Sequence, residues 1–339
     1  MEQKKMAAKF NKILIFLSIL FGTFYLLLLL SSYGTVRFDI MEIVNIIKGD
    51  VTGVRATLYN QLRLPRVLVA FLIGAVLAIA GDSLQLTLKN PLADPYIVGI
   101  SAGASFGAVL SLVIKEYFGL SINMDFLAFV FALISAFTAY FISRKGGRIS
   151  VTSLILSGVI ISFLFNAAVT FLVVFTWRNI ISLHFWSLGS MSGVSWSDFY
   201  KMLIALSIES VIYLLFRRKM LILAAGEEHA VTVGVYPERV KTIVFFNVAF
   251  VSALCVSTAG LIGFVGLIIP HITRLLFGTD SKLNLISTLL IGGIFLTACD
   301  TLSRTLFQPT ELPIGAVTAL VGAPFFIYLL KRKAGISNG

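Results

Sequence analysis

Long apolar runs separated by short polar breaks dominate the chain. Ten runs stand out, at residues 13–33, 64–88, 95–114, 125–143, 151–176, 198–217, 240–259, 262–277, 283–307 and 313–331. Each is close to the length of about 20 residues that carries an α-helix across a bilayer. The pattern predicts an all-α polytopic membrane protein of about ten transmembrane helices, with residues 1–339 forming a single transmembrane domain. The eighth run is the weakest, being short and carrying Pro270 and His271. The first has a basic flank like a signal peptide. Its apolar part is too long for one, and no small-residue cleavage site follows, so it reads as a retained span.

Two stretches repeat loosely. "VAFLIGAVLAIAG" at 69–81 and "VAFVSALCVSTAG" at 248–260 share Val, Ala, Phe and the closing Ala-Gly, and in a ten-span arrangement they run in opposite directions. Opposed related halves build transporter sites at their interface.

Charge then fixes the orientation. The chain carries 27 Lys and Arg against 16 Asp and Glu, and the basic residues gather at the ends of the apolar runs. That placement argues for a membrane and against nucleic acid. With the N-terminus inside, 18 of the 27 basic residues fall in inner segments, and both termini come out cytoplasmic. Arg37, Lys48, Arg55, Arg63 and Arg66 lie in or just after the long first outer segment and call for a reason other than topology.

Candidate chemistry is sparse. Cys255 and Cys299 sit within apolar runs and read as small buried hydrophobes, with no metal cluster implied. The dipeptide Gly-Lys is absent, so there is no P-loop for ATP. "GISAG" (99–103) matches a hydrolase nucleophile elbow, but it lies in a predicted span. Gly99, Gly103 and Gly107 read instead as G-x-x-x-G steps for close helix packing. No catalytic residue and no cofactor is expected. In "NPLADPYIVG" (90–99) the prolines should stop one helix and start the next, with Asp94 as the cap. Three carboxylates lie within spans, where a charge is costly. Asp300 has Arg304 one turn on, whereas Asp82 and Glu209 have no local partner. Their side chains could face a water-filled path or the protein interior, and the first case would suit a proton- or ion-coupled secondary carrier.

"GEEHAVTVGV" (226–235) is a polar interruption in the longest inner segment, residues 218–239. Glu227 and Glu228 suit the first turn of a short helix, and Gly234 and Pro237 its end.

Several long motifs, in order, resemble one family. They are "RLPRVLVAFLIGAVLAIAG", a Gln at 85, "NPLADPYIVGISAGA", "FWSLGSMSGVSW", "GFVGLIIPHITRLLFG" and "DTLSRTLFQPTELPIGAVTALVGAPFFIYLL". They look like the permease subunits of bacterial ABC importers for ferric siderophores, haem and cobalamin, the FecCD-type permeases. The resemblance covers about residues 60–331. It implies a ten-helix, cobalamin-permease-like fold in the bacterial cytoplasmic membrane. A second permease subunit, a cytoplasmic ABC ATPase dimer and an extracytoplasmic substrate-binding protein would complete the importer. The cargo expected is an iron-siderophore complex. By position in the motifs, Arg63, Arg66 and Arg304 would dock carboxylates of the binding protein. Gly226, Glu227, Glu228, Ala230 and Gly234 would form the helix that couples to the ATPase. Ser150 and Val151 would stand at the inner gate, although Val151 replaces the family's frequent hydroxyl residue. Asp82 departs from the small apolar residue common after that glycine.

Overall fold

Each of the ten apolar runs contains a helix in the computed structural model, which describes residues 2–175, 183, 186–278 and 283–337. In chain order the elements begin with α1 (Glu2–Ser32), α2 (Ile40–Lys48) and α3 (Val54–Leu58). A π-helical turn (Tyr59–Arg63) leads into α4 (Leu64–Leu88), followed by α5 (Ile100–Phe118) and α6 (Met124–Ser143). A two-residue antiparallel hairpin, β1 (Arg144–Lys145) and β2 (Arg148–Ile149), precedes α7 (Val151–Val173) and α8 (Trp196–Ala225). The rest comprises α9 (Glu227–Thr232), α10 (Pro237–Ala259), α11 (Val265–Phe277), α12 (Asn284–Thr305) and α13 (Ile314–Ser337). Among the described residues six helices are, by length and composition, apolar enough to cross a membrane, counting 54–88 as one, and three shorter apolar helices accompany them. Phe185 of the fourth motif and Lys282 of the inner basic set lie outside the described residues.

α4 is the axis of the molecule. It is apolar all round and buried along nearly its whole length, from Pro65 to Leu88, as expected of a helix with no solvent or lipid face. α12, α8, α10 and α11 pack around it. Glycines set the closest approaches. A Cβ on Gly81 would strike the Gly266 backbone on α11, and one on Gly74 would strike Gly292 on α12. In the same way Gly103 and Gly107 bring α5 against Phe131 and Leu127 of α6, so packing accounts for "GISAG". Gly99 itself lies outside α5, as its N-cap, with a φ of 85° that favours glycine.

α7 and α8 are the opposite case. Only 22% of the apolar window of each is buried, and Leu156, Ile160, Phe163 and Leu164 on α7, with Ile204, Leu214 and Leu215 on α8, stand exposed. In a bilayer such faces meet lipid or another chain.

Two prolines leave carbonyls without their usual helical donors, and distant side chains supply replacements. Pro270 has no N–H for the carbonyl of Gly266 one turn earlier, and Gln85 Nε2 donates to that oxygen at 3.1 Å and to Leu267 at 3.2 Å. Pro65 likewise cannot serve Asn60 in the π-helical register, and Trp196 Nε1 donates to the Asn60 oxygen at 3.0 Å. This explains the weakness of the eighth run: α11 begins only at Val265, after an irregular stretch in which Phe264 has a φ of 72°.

Three sequence expectations change. In 89–99 only Pro91 takes its expected place, two residues beyond the Lys89 C-cap of α4, whereas α5 starts five residues after Pro95, which therefore does not open it. Asp94 closes a local turn instead of capping a helix, its Oδ1 accepting from Tyr96 N at 2.9 Å. Burial pushes that carboxyl up to about 6. The closing glycines of the proposed repeat are not equivalent either: Gly81 lies within α4, whereas Gly260 ends α10 with a φ of 68°.

Candidate functional site

Arg63, Arg66 and Arg304 come together at the N-terminal end of α4. They line a cavity of about 210 Å³ with Thr35, Val36, Phe38, Leu58, Leu62 and Glu311. Asp300, fully buried on α12, anchors the cluster. Arg304 Nε donates to its Oδ2 at 3.0 Å, the i,i+4 pair expected from sequence. Arg66 Nη2 donates to Asp300 Oδ1 at 2.9 Å and to Glu311 Oε2 at 2.9 Å. Arg63 donates to the backbone oxygens of Tyr33 and Val36. Arg304 also donates to Tyr33 O, at 2.8 Å, and is only 3% exposed.

The three arginines therefore differ. Arg304 is interior scaffolding, with Nε, Nη1 and Nη2 all engaged. Arg63 and Arg66 meet the cavity more directly. Three guanidiniums face two carboxylates, Asp300 and Glu311, which leaves one positive charge. Arg55, another basic residue of the segment before α4, forks onto Glu42 at 2.6 and 2.9 Å and ties α3 to α2. That exposed contact holds Glu42 below its ordinary range.

The other end of α8 carries the second assembly. Gly226 breaks the chain between α8 and α9, and α9 is a single helical stretch with Glu227 and Glu228 in its first turn. Val235 N donates to Ala230 O at 2.8 Å and Gly234 N to Val231 O at 3.0 Å, the paired bonds of a left-handed helix stop. Gly234 is exposed with a φ of 80°, so its conformation alone calls for glycine. Ala230 departs from the expected exposed contact surface. It is fully buried against the protein's own core, so its smallness serves the seating of α9 on the bundle.

Ser150 and Val151 stand at the start of α7, directly after the hairpin, with Ser150 as N-cap. They share a cavity of about 480 Å³ with Lys145, Arg148, Glu227, Glu238 and Lys241, so the two residues expected at a gate and the first turn of α9 are neighbours.

The intramembrane carboxylates of open environment both face the protein interior. Asp82 is fully buried, paired with Arg274 of α11, and accepts from Tyr213 at 2.6 Å and Asn284 at 3.4 Å. Glu209 accepts from Ser83 at 2.9 Å and from Asn247, again fully buried. Neither supplies the water-facing acid that a secondary carrier would use. Sequence proximity could not reveal these partners, because Arg274 lies 192 positions from Asp82.

Known proteins match over most of the chain. The FecCD transport family model covers residues 8–332. A cobalamin import system permease protein of Halobacterium salinarum is 40% identical over 306 residues, which is 90% of this chain and 79% of that protein. An Fe(3+)-citrate import system permease protein of Bacillus subtilis is 36% identical over 275 residues, 81% of this chain and 82% of the other. A solved structure described as an inward-facing ABC transporter of the metal-chelate type superposes with a TM-score of 0.77 at 31% identity, covering 93% of this chain and 99% of that one. The fold, the multi-pass hydropathy and these matches agree: the chain belongs to the FecCD transport family of membrane permeases.

Proposed function

We propose that this chain is the membrane-spanning permease subunit of an ATP-driven importer that moves an iron-siderophore complex across the cytoplasmic membrane by alternating access. The observation that carries the reading is the separation of two built surfaces by one helix. The 30 residues of α8 start at Trp196, bonded to Asn60 beside the arginine cavity, and end at α9. At about 1.5 Å per residue that helix is roughly 45 Å long, enough to cross a bilayer.

In this reading a binding protein delivers its cargo at the arginine end. Its carboxylates pair with Arg63 and Arg66, while Arg304 fixes the wall behind them. The exposed faces of α7 and α8 meet a second permease, identical or homologous, or lipid. An ATPase dimer engages α9 through Gly226, Glu227, Glu228 and Gly234, and Ala230 holds the helix to the bundle. Closure of the ATPases on ATP moves α9, and Ser150 and Val151 open or close the inner path. Hydrolysis belongs to the ATPases, so the permease needs no catalytic residue. The iron cargo is favoured by relatives such as the Fe(3+)-citrate permease, whereas the cobalamin relative marks the competing cargo.

The test is copurification of the tagged chain from its own membranes, followed by uptake assays in proteoliposomes. Ferric-siderophore uptake that needs both ATP and a binding protein is the expected result. Uptake that follows a proton gradient and ignores ATP would reject the importer, and ATP-driven uptake of a corrinoid but no ferric chelate would reject the cargo.

A further inference from the structure

A single buried lysine joins the three segments that meet at the α9 end of the molecule. Lys241, on the first turns of α10, is 3% exposed. Its ammonium donates to acceptors on α10 and β2 and forms an ion pair with a carboxylate on α9. Lys241 Nζ lies 2.9 Å from Glu227 Oε1 on α9, 3.1 Å from Glu238 Oε1 on α10 and 3.2 Å from the backbone oxygen of Ile149 on β2. Glu238 closes the ring, its Oε2 accepting from Ile149 N at 2.8 Å. Both backbone polar groups of Ile149 are thus held by one Lys–Glu pair. The next residue is Ser150, the N-cap of α7.

We propose that Lys241 is a positioning residue that carries displacement of α9 to the start of α7, through the β2 backbone. The proposal rests on the transport reading above and deepens it. One contact joins α9 to Lys241 on α10, one ties Lys241 to Glu238 within α10, and two run from that pair to the β2–α7 junction, with no side chain on α7 itself taking part. A shift of Glu227 therefore reaches Ser150 by way of Lys241 and Ile149. The lysine end of the joint keeps a fixed geometry because it is buried and held by groups on three segments. Only the lysine is deeply buried here: the side chains of Glu227 and Glu238 are 46% and 31% exposed, so water can reach both carboxylates when the lysine is removed. Lys241→Met should accordingly fold.

The experiment uses the assembled transporter in proteoliposomes, with substrate uptake and ATP hydrolysis read on the same sample. Spin labels at Thr232 on α9 and Thr152 on the first turn of α7, both exposed, report each end of the joint. Lys241→Met is expected to lower uptake per ATP hydrolysed at least about tenfold, the scale of effect of losing a hydrogen bond to a charged group. The ATP-dependent change at Thr232 persists while that at Thr152 is lost. Lys241→Arg, which restores charge and donors, recovers part of the coupling. A lysine that served only to stabilise the fold would lower the amount of transporter and leave uptake per ATP intact. Equal uptake per ATP in wild type and Lys241→Met, or an undiminished response at Thr152, overturns the proposal. Wild-type transporter without ATP-dependent uptake would instead overturn the transport reading itself.

Discussion

Asp82 illustrates how burial turns one carboxylate into structure. Its oxygens are held by Arg274 from α11, Tyr213 from α8 and Asn284 from α12, so three helices are pinned to α4 at one point. The ion pair is a poor source of net stability, since both charges had to leave water, but removing one partner is costly. Asp82→Ala should destabilise the purified protein by about 3–5 kcal/mol, the range for stranding a buried charge. Asp82→Ala with Arg274→Met removes both charges and should recover most of that loss. Thermal unfolding in detergent checks it: a double variant as unstable as the single one would show that Arg274 is not the group left stranded. Little of this was legible in the sequence. Asp300 and Arg304 stand one helical turn apart and announce each other, whereas the residues that hold Asp82 lie more than a hundred positions away.

Hydropathy located the helices because a bilayer demands long apolar runs, and each of the ten runs contains a helix. Their ends were less legible, since turns are set by local bonds such as that of Asp94 to Tyr96 and by left-handed residues such as Lys89 and Phe264. Proline provides the clearest case of an element repaired from outside. α11 keeps Pro270 because Gln85 on α4 answers the Gly266 oxygen that Pro270 cannot reach. The Gln at 85 was visible as part of a motif, but its purpose needed the third dimension. Gln85→Leu should cost about 1–3 kcal/mol, the penalty for an unsatisfied buried carbonyl. Pro270→Ala gives α11 its missing N–H, so in the Gln85→Leu background it should restore the part of the stability that the Gly266 oxygen accounts for, leaving the loss of the Gln85 bond to Arg274. Chemical denaturation in micelles of the single and double variants distinguishes this from simple loss of packing, which Pro270→Ala would worsen.

On the scale of the whole molecule, charge is divided between two ends with different demands. At the α9 end Lys241 is buried and neutralised by its neighbours, as would suit the proposed joint. At the arginine end the cations outnumber the acids around a cavity, as would suit the proposed docking of a partner's carboxylates. Arg63 is the informative position, because it bonds only backbone oxygens, whereas Arg66 and Arg304 hold the buried Asp300. Reversing either of those would disturb the wall as well as the field. Arg63→Glu should therefore leave the permease folded and weaken its association with the binding protein by at least about tenfold, chiefly by slowing encounter. Arg63→Gln should fall between the two. Raising ionic strength should slow wild-type association and narrow the gap to the variants, because the Debye length falls from about 10 Å at 0.1 M to about 3 Å at 1 M. Stopped-flow association at two salt concentrations reads both effects, and an association rate unchanged by Arg63→Glu at low salt would remove Arg63 from the docking surface.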